Sequence, residues 1–164
     1  MKILVLSDSH SSLRIMRSAV AGIKPDAIVH LGDYFDDGEV IREEYPDIPI
    51  HQVPGNCDKY RMPEFRAETL CYNVCGVKLL MTHGHRHYVK SGLYHLFQDA
   101  KASGVQAALF GHTHIPLCVQ QEGIWLLNPG SCGNGDGTVG LIETNDNKIM
   151  DCRILRQENW ENKL

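Results

Sequence analysis

The sequence predicts an α/β fold in which two packed sheets of mixed strand direction are flanked by helices. In the first part of the chain, short apolar runs alternate with helix-like segments, a pattern typical of βαβ crossovers and a largely parallel sheet. In the later part, strand-like runs follow one another with turn residues between them, which indicates antiparallel pairing. No repeat, linker or low-complexity segment interrupts the sequence, so we expect a single domain over residues 1–164.

The first part opens with a continuous apolar run at residues 2–7, which predicts a strand buried on both faces. Ser11 or Ser12 can cap the helix that follows. Gly22 and Pro25 are expected to stop that helix. Its apolar positions recur near helical spacing, at Ile15, Met16, Ala19, Val20 and Ile23. The next elements are expected to be a strand at 26–31, a short helix at 37–45 and a strand at 49–53.

The later part begins with a predicted hairpin, whose strands at 68–74 and 77–81 flank a turn at Cys75-Gly76. A helix is expected over 88–103, closed by Gly104. The final residues, QENWENKL, could form a frayed tail. The remaining strands are expected at 106–110 and, as a β-meander, at 117–121, 124–127, 138–143 and 148–155.

Composition is that of an ordinary, mildly acidic protein, with 43% hydrophobic residues, 22% charged residues and a net charge of −4. This balance gives no indication of a nucleic-acid or membrane surface, and no run has signal-peptide or transmembrane length. We therefore expect a cytoplasmic protein. Six scattered cysteines without a CxxC pair are expected to be free thiols: Cys57, Cys71, Cys75, Cys118, Cys132 and Cys152.

Polar turns follow five of the apolar runs, and they carry the residues with chemistry. If the runs are neighbouring strands, these side chains emerge at one edge of the sheets, where α/β proteins bind ligands. Carboxylate, amide and imidazole groups together suit Mn²⁺, Fe²⁺ or Zn²⁺. Seven candidates are too many for one ion with an open position, but two ions sharing a carboxylate would use them all. The candidates are Asp8, His10, Asp33, Asn56, His83, His112 and His114.

The motifs that contain these residues, DSH, GDYFD, GNCD, THGH and GHTH followed by NPGS, resemble those of the calcineurin-like metallophosphoesterases. The short form without a cap domain resembles the YfcE-like small phosphodiesterases. The resemblance implies a four-layer α-β-β-α sandwich and two divalent ions, with Mn²⁺ expected first and Zn²⁺, Fe²⁺ or Ni²⁺ as alternatives. It also implies that a hydroxide bridging the ions attacks the phosphodiester.

The same resemblance assigns each ligand to an ion. Asp33 would bridge the two ions. One ion would be held by Asp8, His10 and His114, and the other by Asn56, His83 and His112.

Cys57 departs from the wider superfamily, in which many members have a histidine that protonates the leaving group and is oriented by the aspartate corresponding to Asp36. Because a thiol is a poor hydrogen-bond donor, we expect little acid catalysis and a preference for good leaving groups.

A second departure is Asp37, where protein phosphatases have arginine, so protein phosphatase activity is not expected. A cysteine nucleophile is not expected either, because the Cys-x5-Arg cradle is missing. The catalytic candidates are Asn56, Asp36, Cys57, Asp58 and His85.

Two alternatives stay open: a phosphomonoesterase with the same ions, and a non-catalytic scaffold like the retromer subunit of this fold. We expect a small phosphodiester as substrate and neither a stable nucleic-acid partner nor a membrane, while a homo-oligomer is left open. The histidines His30, His51, His87 and His95 are expected to serve packing or the surface. Residues that could select the substrate are Tyr34, Phe35, Tyr60, Arg61, Arg86, His87 and Tyr88.

Overall fold

The computed structural model describes residues 1–58, 67–133 and 137–161, so that Tyr60 and Arg61 lie outside the described residues. Two five-stranded sheets of mixed direction pack together with helices flanking them, as the sequence predicts. The strands are β1 Lys2–Leu6, β2 Ala27–His30, β3 Ile50–Gln52, β4 Thr69–Val74, β5 Val77–Thr82, β6 Ala107–Leu109, β7 Leu117–Gln121, β8 Ile124–Asn128, β9 Thr138–Asn145 and β10 Lys148–Arg156. The helices are α1 Leu13–Ile23, α2 Phe35–Glu44, α3 Tyr94–Ser103 and α4 Glu158–Glu161.

The first sheet has the strand order β10-β9-β1-β2-β3, and the second has the order β4-β5-β6-β8-β7. Three neighbouring strands run parallel in each sheet, β1, β2 and β3 in the first and β5, β6 and β8 in the second. In the first sheet the antiparallel hairpin β9–β10 pairs with β1 on one side and β3 is the other edge, whereas in the second sheet the antiparallel strands β4 and β7 are the two edges. Between the sheets lies a core to which both contribute, with Val5 and Val29 from the first and Met81 and Leu109 from the second.

The predicted β-meander at the end of the chain is wrong. The hairpin β7–β8 joins the second sheet through parallel pairing of β8 with β6, whereas the hairpin β9–β10 joins the first sheet through antiparallel pairing of β9 with β1. The turn residues predict each hairpin correctly, but they do not indicate which other strand the hairpin pairs with in its sheet. The chain therefore leaves the first sheet after β3 and returns to it at β9.

Helix α1 buries the five apolar positions that its periodicity predicts. It continues through Gly22 and ends at Ile23, so Gly22 does not stop it. A Cβ on Gly22 would come within 2.9 Å of the Trp160 side chain, so the glycine makes room for that indole. Trp160 is only 1% exposed, and its Nε1 donates a hydrogen bond of 3.0 Å to Ser18 Oγ. The expected frayed tail is thus wrong up to Glu161, because α4 packs on α1.

Helix α3 starts at Tyr94, six residues later than predicted. The segment before it contains a single 3-10 turn at His85–His87, after which Tyr88 adopts a left-handed backbone with φ of 53°. A residue in this conformation cannot continue a right-handed helix. The end of α3 is as predicted, with Gly104 in the left-handed region closing it.

All six cysteines are free thiols, and Cys118 Sγ of β7 lies 3.3 Å from Cys152 Sγ of β10 across the two sheets. Among the described residues, no helix is long and apolar enough to cross a membrane.

Candidate metal centre

Loops after the parallel strands of both sheets converge at one edge of the sandwich. Those after β1, β2 and β3 carry Asp8, His10, Asp33 and Asn56, and those after β5 and β6 carry the three histidines of the second sheet. Five of the seven candidates have left-handed backbones, with φ between 45° and 69°. This conformation costs about 1–3 kcal/mol per non-glycine residue and is typical of functional sites. These five residues are Asp8, His10, Asp33, His112 and His114.

The first group of candidate ligands consists of Asp8, His10, Asp33 and His114. One ligand atom from each lies within 4.8 Å of the others. Asp8 Oδ1 is 3.1 Å from His114 Nε2, and the Nε2 atoms of His10 and His114 are 3.4 Å apart. The two carboxylates are buried, whereas His114 is exposed. A cation held here would therefore contact the buried carboxylates on its protein side and remain reachable from solvent on the side of His114.

The second group is centred on His83, which is fully buried. Its Nδ1 is 2.7 Å from the Leu31 carbonyl oxygen, which can only accept, so Nδ1 carries the proton and Nε2 carries a lone pair. Nε2 faces Asn56 Oδ1 at 3.1 Å and Asp33 Oδ1 at 3.5 Å. The ring of His112 lies 5.0 Å from that of His83. Lone pairs pointed at one another are unfavourable unless a cation lies between them.

Electrostatics of the centre also favour a bound cation. Burial raises the pKa of Asp8 to about 7, although the hydrogen bond from Ser7 opposes the shift. Burial lowers the pKa of His83 to about 4, so its ring is neutral. Burial also lowers the pKa of His112, and the charge of Lys90 lowers it further. Neutral imidazoles are the form that binds a cation, and a divalent ion beside Asp8 would lower the pKa of that carboxyl group and hold it in the ionised form.

Asp8 provides the most direct test of whether a metal fits. Its Oδ2 accepts hydrogen bonds from Ser7 Oγ at 2.6 Å and from the His112 backbone N–H at 3.1 Å. Its Oδ1 is buried and accepts no hydrogen bond from any residue that the structure describes. A buried carboxylate oxygen without a donor is costly, and a divalent ion would remove the cost. The residues present therefore fit the metal ions that the motifs imply.

The NPGS segment, residues 128–131, is a loop that packs near the site and contacts the turn at Asp8. Ser131 Oγ donates a hydrogen bond of 2.8 Å to the backbone oxygen of Asp8. Asn128 Nδ2 donates to the Gly111 oxygen and to Thr113 Oγ1, both at 2.9 Å, and so fixes the GHTH loop. These side chains orient the loops that carry the candidate ligands.

Asp37 is a positioning residue that the sequence reasoning missed. Its Oδ2 accepts hydrogen bonds from Ser9 Oγ at 2.6 Å and from the Ser11 backbone N–H at 2.9 Å. In the sequence, position 37 stands out only as a departure from the protein phosphatases. One feature of the sequence could have indicated this role: Asp37 is an acidic residue in the first turn of α2, the helix that begins within the GDYFD motif.

The catalytic candidates outside the ligand set occupy different surroundings. Asp58 is buried, and its carboxylate accepts backbone hydrogen bonds from Tyr34 and Phe35 at 2.9 Å and from Gly55 at 2.7 Å. These contacts hold two site loops together and support a positioning role. Asp36 is exposed on α2. Their catalytic roles stay predictions.

Cys57 lies beside the ligands, because its backbone N–H donates to Asp33 Oδ1 at 2.9 Å. Burial and the neighbouring Asp33 raise the pKa of its thiol to about 11, so the thiolate is not formed near neutral pH. The ring of His85 is 5.6 Å from that of His83 and 6.1 Å from that of His112. His85 is thus within reach of a group bound at the centre.

Among the residues expected to select substrate, Tyr34 lies beside the candidate ligand His10, with the two rings 5.3 Å apart. Phe35 is buried, Arg86 pairs with Glu68 at 2.5 Å, and Tyr88 is exposed.

The packing histidines occupy the positions expected of them. His30 and His87 are buried, with His87 Nε2 3.0 Å from Asp99 Oδ2. His51 pairs with Tyr72, and His95 is exposed.

Comparisons with known proteins find relatives over most of the chain. A family model for the calcineurin-like phosphoesterase superfamily domain matches residues 1–147. The probable metallophosphoesterase YsnB of Bacillus subtilis is 31% identical over 134 residues, which cover 80% of this chain and 75% of YsnB. The structure of a Streptococcus pneumoniae protein described as a predicted phosphoesterase superimposes with a TM-score of 0.74 at 25% identity, covering 96% of this chain and 90% of that one.

Two further structures show the same fold at lower identity. The Escherichia coli phosphoesterase YfcE has a TM-score of 0.63 at 22% identity and covers 93% of this chain and 98% of its own. Vps29 of Entamoeba histolytica, complexed with Zn²⁺, has a TM-score of 0.71 at 20% identity and covers 96% and 99%.

Proposed function

Because the chain belongs to the calcineurin-like phosphoesterase superfamily, we propose that it is a phosphodiesterase that depends on two divalent metal ions. Mn²⁺ is the ion we expect, with Zn²⁺, Fe²⁺ and Ni²⁺ as alternatives. The substrate is a small phosphodiester, and hydrolysis takes place in the cytoplasm. No nucleic-acid or membrane partner is part of the proposal.

The observation that carries the proposal is the buried set of lone pairs around Asp33. Asp8 Oδ1 lacks a donor on one side, and Nε2 of His83 faces Asn56 Oδ1 on the other. A carboxylate oxygen of Asp33 lies within 4.8 Å of ligand atoms of the first group, and Asp33 Oδ1 lies 3.5 Å from His83 Nε2 of the second. A shared carboxylate between two groups of ligands is the arrangement of a two-metal site.

Charge also favours a phosphate ester. Asp8 and Asp33 are the acidic ligands of the set, so two divalent ions would leave the centre with a net positive charge. Bound ions would supply that charge to the phosphate and lower the pKa of a water between the two groups. The protein's own residues hold the ligands in place: Leu31 fixes the His83 tautomer, and Ser7 orients the Asp8 carboxylate.

Protonation of the leaving group is where this chain differs from many relatives. In the metal-free chain, partial burial and the neighbouring Asp33 raise the pKa of the Cys57 thiol to about 11, and a thiol donates hydrogen bonds weakly. The enzyme should therefore act best on diesters whose leaving group is already a stable anion. His85 is the imidazole within reach that could supply a proton instead.

The experiment is hydrolysis of a matched diester and monoester pair by metal-stripped protein resupplied with Mn²⁺, Zn²⁺, Ni²⁺ or Mg²⁺. Bis(p-nitrophenyl) phosphate and p-nitrophenyl phosphate share a leaving group, so their ratio of kcat/KM reports diester preference. We expect Mn²⁺ to restore diester hydrolysis, with two ions bound per chain. Asn56→Ala should lose one of them, and Asn145→Ala, an exposed site on β9, should lose neither.

The other outcomes separate the alternatives. Faster monoester turnover would favour a phosphomonoesterase. Absence of turnover with every ion, together with no bound metal by elemental analysis, would favour a scaffold. An Asn56→Ala protein that keeps full activity and both ions would refute the second metal site.

A further inference from the structure

A pair of thiols lies where the two sheets pack against each other. Cys118 is on β7, an edge strand of the second sheet, and Cys152 is on β10, an edge strand of the first. Their Sγ atoms are 3.3 Å apart, and the Cys118 thiol also contacts the backbone oxygen of Cys152 at 3.1 Å. Because a disulfide bond measures about 2.0 Å, the two sulfur atoms need to approach by only about 1 Å to become bonded.

The two thiols differ in their exposure to solvent. Cys152 belongs to the core between the sheets and is only 6% exposed, whereas Cys118 is half-buried and packs against that core. A small oxidant can therefore reach Cys118 more readily than Cys152.

The contact between the thiols also separates their acidities. The hydrogen bond between them lowers the pKa of Cys118 and, together with burial, raises the pKa of Cys152. Elsewhere burial raises the pKa of Cys57 to about 11 and that of Cys132 to about 12. Since the thiolate is the form that reacts with oxidants, Cys118 is the member of the pair that reacts first.

We propose that Cys118 and Cys152 form a redox site, which a peroxide oxidises to a disulfide that joins β7 to β10. The Cys118 thiolate attacks one peroxide oxygen, so that an S–O bond forms, the O–O bond breaks and hydroxide leaves. The Cys152 sulfur then attacks the Cys118 sulfur: the S–S bond forms, the S–O bond breaks, and the departing hydroxide takes the Cys152 proton to become water. Two thiols are thus oxidised while the peroxide is reduced to water, and a dithiol reductant reverses the reaction.

The disulfide would close a loop that contains much of the later chain. Between the two cysteines lie β8, the NPGS segment and β9, and β7 itself follows the GHTH loop. A cross-link across such a loop restricts the unfolded chain more than the folded one, so it stabilises the fold. The oxidised protein should therefore resist heat better than the reduced protein.

The direct test uses the full chain, reduced and stripped of metal so that metal-catalysed oxidation does not contribute. After a slight molar excess of hydrogen peroxide, free thiols are alkylated and the cysteines are mapped by mass spectrometry. We expect two of the six cysteines to escape alkylation as a linked Cys118–Cys152 peptide, and dithiothreitol should restore both thiols. Oxidation of Cys57 or Cys71 while the pair stays reduced, or a disulfide between two chains, would overturn the proposal.

Variants test the order of the two steps. Cys152→Ala removes the second thiol and should leave Cys118 as a sulfenic acid, which dimedone traps. Cys118→Ser should protect Cys152, because the accessible thiol is gone. Cys71→Ser, an exposed cysteine on β4, is the matched control and should form the disulfide at the wild-type rate. Dimedone labelling of Cys152 in Cys118→Ser, as fast as that of Cys118 in Cys152→Ala, would refute the order.

Thermal unfolding tests the consequence for stability. The oxidised wild type should have a Tm about 5–10 °C above that of the reduced wild type. The same treatment should not raise the Tm of Cys118→Ser. A cross-linked protein whose Tm is unchanged or lower would overturn the stabilising role. Because these measurements use metal-free protein and no substrate, their outcome is independent of whether the chain proves to be a phosphodiesterase.

Discussion

Oδ1 of Asp8 lies 3.1 Å from Nε2 of His114, and the two residues belong to loops of different sheets. No hydrogen bond from a described residue satisfies that buried oxygen. At the candidate centre, this pair therefore joins a loop of the first sheet to a loop of the second.

Asp8→Asn should remove metal binding at the first group of ligands. The amide keeps the shape of the carboxylate but lacks its charge, so we expect about one ion fewer per chain and at least about 100-fold slower diester hydrolysis. Elemental analysis and kcat/KM measure the two effects. Asp146→Asn, at the exposed turn after β9, is the control. Full metal content in Asp8→Asn would contradict the assignment.

Asp58→Asn should destabilise the metal-free protein by about 2–4 kcal/mol. The carboxylate accepts three backbone hydrogen bonds, and bonds to charged groups contribute about 1.5–3 kcal/mol each, part of which an amide oxygen retains. Urea unfolding measures the change, with the exposed Asp47→Asn as control. Wild-type stability combined with lost turnover would instead indicate that Asp58 is a catalytic residue.

Gly55→Ala should disturb the centre more than the fold. A Cβ at this position would overlap the Asp33 carboxylate and backbone nitrogen, and displacement of a reacting group by about 1 Å can cost 100-fold in rate. We expect weaker metal binding by calorimetry and about 100-fold slower hydrolysis. In Gly92→Ala the added Cβ meets no atom within 4 Å and only the φ of 140° opposes alanine, so this control should keep metal binding. Equal effects of both substitutions would refute the steric explanation.

Stability should fall as the pH decreases from about 6.5 to about 4. Burial lowers the pKa of His30 to about 4, while the charges of Asp58 and Asp33 oppose the shift and His83 adds to it. Between these pH values the unfolded chain takes up a proton that the folded chain does not, so unfolding becomes easier by up to about 3 kcal/mol.

His30→Gln removes this titrating group. Subtracting its urea unfolding free energies from those of the wild type at each pH should isolate the His30 contribution. A difference that stays constant from pH 7 to pH 4 would show that His30 is not responsible.

Rates for a series of aryl diesters should rise steeply as the leaving-group pKa falls. Cys57→Ser should change kcat/KM by no more than about threefold, because the thiol contributes little as an acid. Cys71→Ser, another exposed cysteine, is the matched control. A flat dependence on leaving-group pKa would mean that another residue supplies the proton, and His85→Gln would then be the variant to test.

Local patterns in the sequence predict the strands and hairpins well, because turn residues and periodicity act over a few neighbours. The partner of β9 could not be predicted this way, since its pairing with β1 depends on packing between distant segments. The start of α3 was missed because the left-handed backbone of Tyr88 is set by the loop around it.

The candidate ligands could be predicted because their motifs stand directly after strands. Supporting residues such as Asp37 and Asn128 could not, since their roles depend on which backbone groups the fold brings to them.

The return of the chain to the first sheet has a consequence for synthesis on the ribosome. All seven candidate ligands have been made once His114 is translated, but β1 gains its second neighbour only with β9, which ends at Asn145. Until then, one edge of β1 offers unpaired backbone groups to any other strand. The nascent protein therefore contains all its candidate ligands before the first sheet can be completed, because that sheet requires the C-terminal hairpin β9–β10.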